Sequence, residues 1–172
     1  LTSCSVIESF YGLRDDITKL SLGVYMADLA ALVCDEGITA HEAVRLLLNS
    51  LHFAEKNKKP LLEIKTMFEM RLMACVGYMP EIEECMACGE EGQYFDIYEG
   101  GILCGACRSE NSFKISKKAI DVMHKYFSPE LRDAFYVKPK EELSVLSSIS
   151  EKYIEIHTGK HLKTLDDLKS VM

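Results

Sequence analysis

Four cysteines in the middle of the chain, Cys85, Cys88, Cys104 and Cys107, form two C-x2-C pairs with fifteen residues between them, in "CMACGEEGQYFDIYEGGILCGAC". Two cysteines three apart on a tight turn can offer both thiolates to one ion. A hairpin between the pairs brings the four sulfurs into one tetrahedral site. Gly89 and Gly105 flank the turns, where positive φ is expected. The spacing predicts structural Zn2+. A thioredoxin-like redox motif would need a βαβ setting, which the sequence does not offer. A disulfide framework belongs to exported chains. This chain has three further cysteines, Cys4, Cys34 and Cys75, each in apolar surroundings and each expected to be a small core residue. Catalytic zinc keeps an open coordination position, whereas four thiolates close the sphere, so the simplest hydrolase reading falls away.

Charge narrows what such a knuckle could touch. Residues 81 to 108 carry Glu81, Glu83, Glu84, Glu90, Glu91, Asp96 and Glu99 against Arg108 alone. Zinc with four thiolates adds roughly two more negative charges. An acidic knuckle repels phosphate. It is therefore expected to fix the chain path and to offer a protein-binding surface, not to act as a DNA finger.

The elements around it read as helices. In "GLRDDITKLSLGVYMADLAALVCDEG", Leu13, Ile17, Leu20, Val24, Ala27 and Ala31 recur at helical spacing. A second set, Leu22, Tyr25, Met26, Leu29, Leu32 and Val33, widens the stripe, so this helix should be buried on most sides, with Gly37 ending it. Thr39 with Glu42 forms a capping box for "AHEAVRLLLNSLHFAEKN". A third helix, "LLEIKTMFEMRLMACVGY", ends at Gly77 and is closed by Pro80. From Pro80 to about Arg108 the helical period vanishes, and "QYFDIYEGGILC" around Gly100–Gly101 reads as a hairpin. Helices return with Ser116 capping "KKAIDVMHKYF", Ser128–Pro129 opening "ELRDAFY", "KEELSVLSSISEKYIEIHTG" stopping at Gly159, and Thr164 capping "LDDLKSVM". The expected fold is mainly α: a helical bundle with an inserted four-cysteine zinc knuckle on a β-hairpin. The expected division is a first helical part over 1–80, the knuckle over 81–108 and a second helical part over 109–172.

The chain has 172 residues, 48% hydrophobic and 27% charged, the composition of a globular protein. No stretch reaches the ~18 apolar residues of a membrane span, and the opening "LTSCSVIESFYGLRDD" is not a signal peptide. There is no initiator Met, so the sequence reads as a fragment or a processed chain. Net charge is -7, against the positive excess of most free-standing nucleic-acid binders. Thiols and the lack of an export signal point to the cytoplasm.

No catalytic constellation is visible. His41, His52, His124, His157 and His161 are spread over different elements without a paired nucleophile. His157 is expected to pack near a helix end. Asp15–Asp16 and Asp166–Asp167 suit helix first turns, where they complement the dipole. Cations form three groups: Lys56, Lys58 and Lys59; Arg108, Lys114, Lys117 and Lys118; and Lys160, His161 and Lys163. Each is a solvated face, a phosphate track, or the rim of an apolar pocket for an acidic peptide tail.

The opening "ESFYGLRDDITKLSLGVYMADL", the junction "FEMRLMACVGYMPEIEECMACG", the return "GGILCGAC" and the closing "YIEIHTGKHLKTLDDLKSV" stand in the order found in the DNA repair protein family RecO, which the chain resembles over essentially its whole length. Tyr153, His157, Gly159 and Lys163 agree with the family's last helix and tail, and Arg14 and Arg71 match motif positions that a buried ion pair would equally explain. The resemblance implies a C-terminal helical and zinc-bearing part, with an N-terminal OB-fold belonging to the family but absent from this sequence. It also implies a non-enzymatic recombination mediator in the bacterial cytoplasm, associated with the nucleoid. Such a mediator binds DNA mainly through the OB-fold, anneals strands and works with RecR. It contacts the tail of single-strand-binding protein and helps RecA load. Arg108, Lys114, Lys117, Lys118, Lys160 and Lys163 are the expected contacts for nucleic acid or an acidic partner. The other reading is a helical adaptor whose knuckle docks protein only.

Overall fold

The computed structural model describes residues 5–6, 8–34 and 38–172. The described residues form seven α-helices and a small sheet: α1 Ile17–Val33, α2 Ile38–Glu55, α3 Leu61–Cys75, then β1 Tyr94–Asp96, β2 Gly101–Leu103 and β3 Ser112–Lys114, then α4 Lys117–Tyr126, α5 Leu131–Tyr136, α6 Leu143–Thr158 and α7 Lys163–Val171. The expected helical bundle with an inserted hairpin is what folds. Cys4 and Gly37 lie outside the described residues.

Asp16 begins α1, its Oδ1 accepting from the amides of Thr18 at 2.8 Å and Lys19 at 3.3 Å. Leu22, Tyr25, Met26 and Leu29 are the face that enters the core. Of the other stripe read from the sequence, Leu13, which precedes α1, is buried in the core, while the part on α1 turns outward, with Ile17 63% and Val24 47% exposed. Both stripes are helical in period, so periodicity alone could not say which one meets the bundle. At the far end of the chain Thr18 Oγ1 donates to the carbonyl of Val171 at 2.9 Å, closing α7 onto α1.

Helix α2 starts at Ile38, one residue before the expected cap Thr39. It ends in a left-handed turn at Asn57, φ 51, with the Lys58 amide reaching back to the Phe53 carbonyl at 3.1 Å. Helix α3 ends two residues before the expected stop. Gly77 takes φ 100, the Tyr78 amide bonds Met73 O at 2.9 Å and the Gly77 amide bonds Ala74 O at 3.3 Å. That pair of bonds is a Schellman closure, and its positive φ suits glycine. Ser116 caps α4 through the Ala119 amide at 3.1 Å, and α6 stops at Gly159 with φ 64, both as expected. Helix α7 begins at Lys163, so Thr164 lies inside it and does not cap it; its hydroxyl is buried with no hydrogen-bond partner.

The sheet has the order β2-β1-β3, antiparallel throughout, with Phe95 opposite both Ile102 and Phe113. The third strand goes beyond the hairpin read from the sequence. Its signal is only three residues long and follows the second cysteine pair, so no alternation could reveal it. Phe95, Ile97 and Ile102 join one continuous core with Ile149 and Tyr153 of α6. The insert is thus packed into the helical bundle.

Candidate metal centre

Two turns of the same design carry the cysteines. In the first, the Gly89 amide bonds the Cys85 carbonyl at 2.8 Å; in the second, the Arg108 amide bonds the Cys104 carbonyl at 3.1 Å. Gly89 has φ +76, as its turn demands, whereas Gly105 has an ordinary φ, because Arg108 closes the second turn without a left-handed residue. The sheet sets the turns side by side. Cys104 directly follows β2, and the Met86 amide bonds Ile102 O of the same strand at 3.0 Å. Asp96 on β1 fixes the exit of the second turn: Oδ2 accepts from the hydroxyls of Ser109 and Ser112, and Oδ1 accepts from the amides of Tyr98 at 3.0 Å and Glu99 at 3.1 Å. Burial works against the Asp96 charge, but these donors outweigh it and hold the carboxyl below its ordinary value.

The four sulfurs of Cys85, Cys88, Cys104 and Cys107 lie within 4.8 Å of one another. Cys88 and Cys104 stand 3.7 Å apart. A disulfide would need about 2.05 Å. The edge of a tetrahedron with metal–sulfur bonds of about 2.3 Å is about 3.8 Å. Backbone amides supply the remaining chemistry. The Cys104 amide, helped by those of Ala87 and Cys88, draws the Cys85 thiol down to about 6 in spite of its burial. The amides of Cys107 and Ala106 lower Cys104 as well. Hydrogen bonding to the sulfurs of Cys104 and Cys88 pushes Cys107 up to about 12. Cys85 and Cys104 are thus held toward the thiolate, the form in which cysteine binds a divalent cation. The donor set fits a closed four-thiolate site.

The knuckle is joined to α6 by an aromatic stack. His157 Nε2 lies 3.0 Å from the Ile97 carbonyl. Its ring is 4.1 Å from that of Tyr153 and 5.2 Å from that of Tyr78, so His157 packs, as expected. Tyr153 meets Phe95 at 5.8 Å.

The basic groups separate by environment. Lys56 pairs with Glu55 at 2.9 Å, Lys59 pairs with Glu63 at 2.8 Å and donates to Val137 O, and Lys58 bonds His52 at 2.8 Å, so this group is spent internally. Arg108 donates to the Tyr94 hydroxyl at 3.0 Å. Lys114 and Lys117 line one groove of about 350 Å³ with Glu91, while Lys118 lines another with Lys138 and Lys140. Lys160 stands with Lys152 and Lys169 around a cavity of about 190 Å³ whose apolar lining is Ile154, Leu162 and Leu165. Lys163 is exposed at the start of α7. Arg71 makes no ion pair among the described residues: it donates to the carbonyls of Tyr126 at 2.6 Å and Ser128 at 2.7 Å. Arg14 is exposed over the Tyr11 ring.

One polar group was not singled out from the sequence. Lys65 and Glu69 of α3 are buried, and Glu69 also accepts from Tyr25 at 2.5 Å and Ser150 at 2.7 Å. The signal available was a Lys and a Glu four apart inside the apolar run "IKTMFEM".

Bundle, inserted sheet and cysteine cluster together define a helical module with a four-cysteine group that could hold a metal ion. Residues 14–166 match the family Recombination protein O C terminal, and the chain belongs to it. It is 30% identical over 177 aligned positions to the DNA repair protein RecO of Acetivibrio thermocellus, covering 99% of this chain and 70% of that protein. To the protein of the same name from Alkaliphilus metalliredigens it is 30% identical, covering 89% of this chain and 65% of that one. For that from Symbiobacterium thermophilum the figures are 29%, 99% and 72%.

Proposed function

We propose that this chain is the C-terminal helical part of a recombination mediator in DNA repair. In this reading it is non-enzymatic, acts in the cytoplasm at the nucleoid, and works by holding DNA and partner proteins while strands anneal and RecA loads. The observation that carries the reading is the match of residues 14–166 to the recombination protein O family. The cysteines hold Zn2+ in a structural role, since four thiolates gathered within 4.8 Å of one another would close the coordination sphere and leave no open position for substrate. No helix of the described residues is long and apolar enough to cross a membrane.

The partners in this reading are DNA, RecR and the acidic tail of single-strand-binding protein. The cavity beside Lys160 supports the last of these: an acidic tail ending in an apolar side chain needs a cation for its carboxylate and an apolar slot, and Lys152, Lys160 and Leu165 supply both. DNA contact on this chain falls to Lys114 and Lys117, which flank one groove.

The test is a titration of the zinc-loaded chain with a labelled tail peptide, with a single-stranded oligonucleotide in parallel. Peptide binding that weakens in Lys152→Glu/Lys160→Glu, with weak salt-sensitive DNA binding, is expected. Binding of neither ligand would overturn the reading.

A further inference from the structure

The acidic knuckle carries an apolar face that none of the described residues covers. Tyr78, Met79, Met86 and Tyr98 are 40%, 54%, 43% and 55% exposed. Backbone bonds bring their segments together. Residues 79–82 run beside the β1–β2 turn, with Glu81 bridged in parallel to Gly101 and the Glu81 amide bonded to Gly100 O at 2.9 Å. Pro80 and Ile82 point into the core along this segment, so Met79 and Glu81 point out. Asp96 accepts from the amides of Tyr98 and Glu99, which holds the turn and keeps both side chains outside. Met86 lies back across Gly101: a Cβ there would stand 2.5 Å from its sulfur. The face is therefore held in place by the same bonds that build the knuckle.

Its rim has one sign. Glu81, Glu83, Glu84 and Glu99 are exposed around it. Glu81, Glu84 and Glu99 pair with no lysine or arginine of the described residues, and Glu83 has only His124 at 3.5 Å. Glu81, Glu83 and Glu84 also line an open groove of about 570 Å³ together with Met86. Glu55 and Glu151, by contrast, are each met by a lysine, Lys56 and Lys169. Here the carboxylates are left for something else.

We propose that this face docks a basic amphipathic segment of another protein, whose lysines or arginines meet the glutamates and whose leucine or aromatic side chains lie on Met79, Met86 and Tyr98. Methionine and tyrosine adapt to varied apolar partners, and complementary charge selects among them. Nucleic acid and anionic membrane carry the wrong sign for this rim. The surface goes beyond the binding proposed above, which needs cations, so either proposal can fail without the other.

The probe is a short acetylated and amidated peptide of lysine, leucine and phenylalanine, added to the isotope-labelled, zinc-loaded chain and followed by amide chemical shifts. The control peptide carries glutamate for lysine. Shifts confined to residues 78–89 and 98–101, and no binding of the control, are expected. Met79→Ser/Tyr98→Ser and, separately, Glu84→Lys/Glu99→Lys should each weaken binding at least about tenfold at unchanged zinc content. Shifts scattered over the surface, equal affinity in both double variants, or no binding of the lysine peptide would overturn the proposal.

Discussion

Lys65 and Glu69, one turn apart on α3, form an ion pair of 2.8 Å with side chains that are 1% and 0% exposed. Burial alone would lower the Lys65 ammonium; the carboxylates of Glu69 and Glu151 outweigh it and hold it above the ordinary lysine value. Tyr25 of α1 and Ser150 of α6 complete the shell around Glu69, so one carboxylate ties three helices together. Removing Glu69 leaves Lys65 with Glu151 alone, at 2.7 Å, and strips the buried Tyr25 and Ser150 hydroxyls of the acceptor they share. Glu69→Leu should destabilise the fold by about 3–5 kcal/mol in urea denaturation, with Lys65→Met/Glu69→Leu recovering part of the loss. A single variant as stable as the parent would remove the network from the account of the core.

The metal site contributes folding free energy only if the thiolates are bound. In small zinc peptides that contribution is about 10–16 kcal/mol. Cys85→Ser takes away the most buried of the four ligands. We expect loss of zinc and loosening that begins between residues 81 and 115, read as fast amide exchange there before the helices melt. Cobalt substitution of the parent should give a four-thiolate spectrum. Full zinc retention and unchanged melting in the variant would show that the cluster does not hold the knuckle.

Arg71 reaches from α3 to the carbonyls of Tyr126 and Ser128, where α4 ends. Those carbonyls would otherwise lack donors in a half-buried setting. Arg71→Met keeps most of the side-chain volume and removes both bonds. It should lower stability by about 1–3 kcal/mol and expose the α4–α5 corner to proteolysis first. Unaltered stability would mean that water replaces the guanidinium at no cost.

The sequence made the helices and the thiolate cluster readable because both rest on local rules. Ser116, Gly77 and Gly159 act through neighbours within one turn, and the cysteine spacing is itself the ligand geometry. The choice between two helical stripes on α1 was not local. Ile17 and Val24 look as apolar as Leu22 and Met26, and only the packing of α7 and α3 decides which are covered. The same holds for Arg71: an arginine in an apolar helix suggests a carboxylate partner, yet two carbonyls of a distant helix end satisfy it. Strand β3 is not legible in the sequence because pairing with β1, not its own pattern, makes it a strand.

Acid should act on the fold through Glu151. Burial alone would raise its carboxyl, but hydrogen bonds from Lys169 and Lys65 outweigh burial and hold it below the ordinary glutamate value. A carboxyl lowered in the folded state adds stability above its unfolded value of about 4.3 and loses it as pH falls through the folded value. Glu151→Gln should therefore be about 1–2 kcal/mol less stable at neutral pH and should show a shallower decline below about pH 4. Parallel curves for parent and variant across that window would assign the acid limb to other groups.

The single-stranded DNA contact proposed for this chain works against its net charge. The net charge is -7, and the group at Lys56, Lys58 and Lys59 is already taken up by Glu55, Glu63 and His52. Lys114 and Lys117 remain beside one groove, with Glu91 only 3.6 Å from Lys117 in a fully wetted pair that holds the ammonium weakly. Each phosphate contact on a single strand adds about 0.7 to the slope of log affinity against log salt. The chain should therefore bind an oligonucleotide weakly, with a shallow slope. Lys114→Ala/Lys117→Ala should flatten that slope by about 1 to 1.4 and leave zinc content unchanged. An unchanged slope would move the contact to Lys118, Lys160 or Lys163, and tight binding by the parent at about 0.2 M salt would show that the chain concentrates positive charge in a way these paired clusters do not allow.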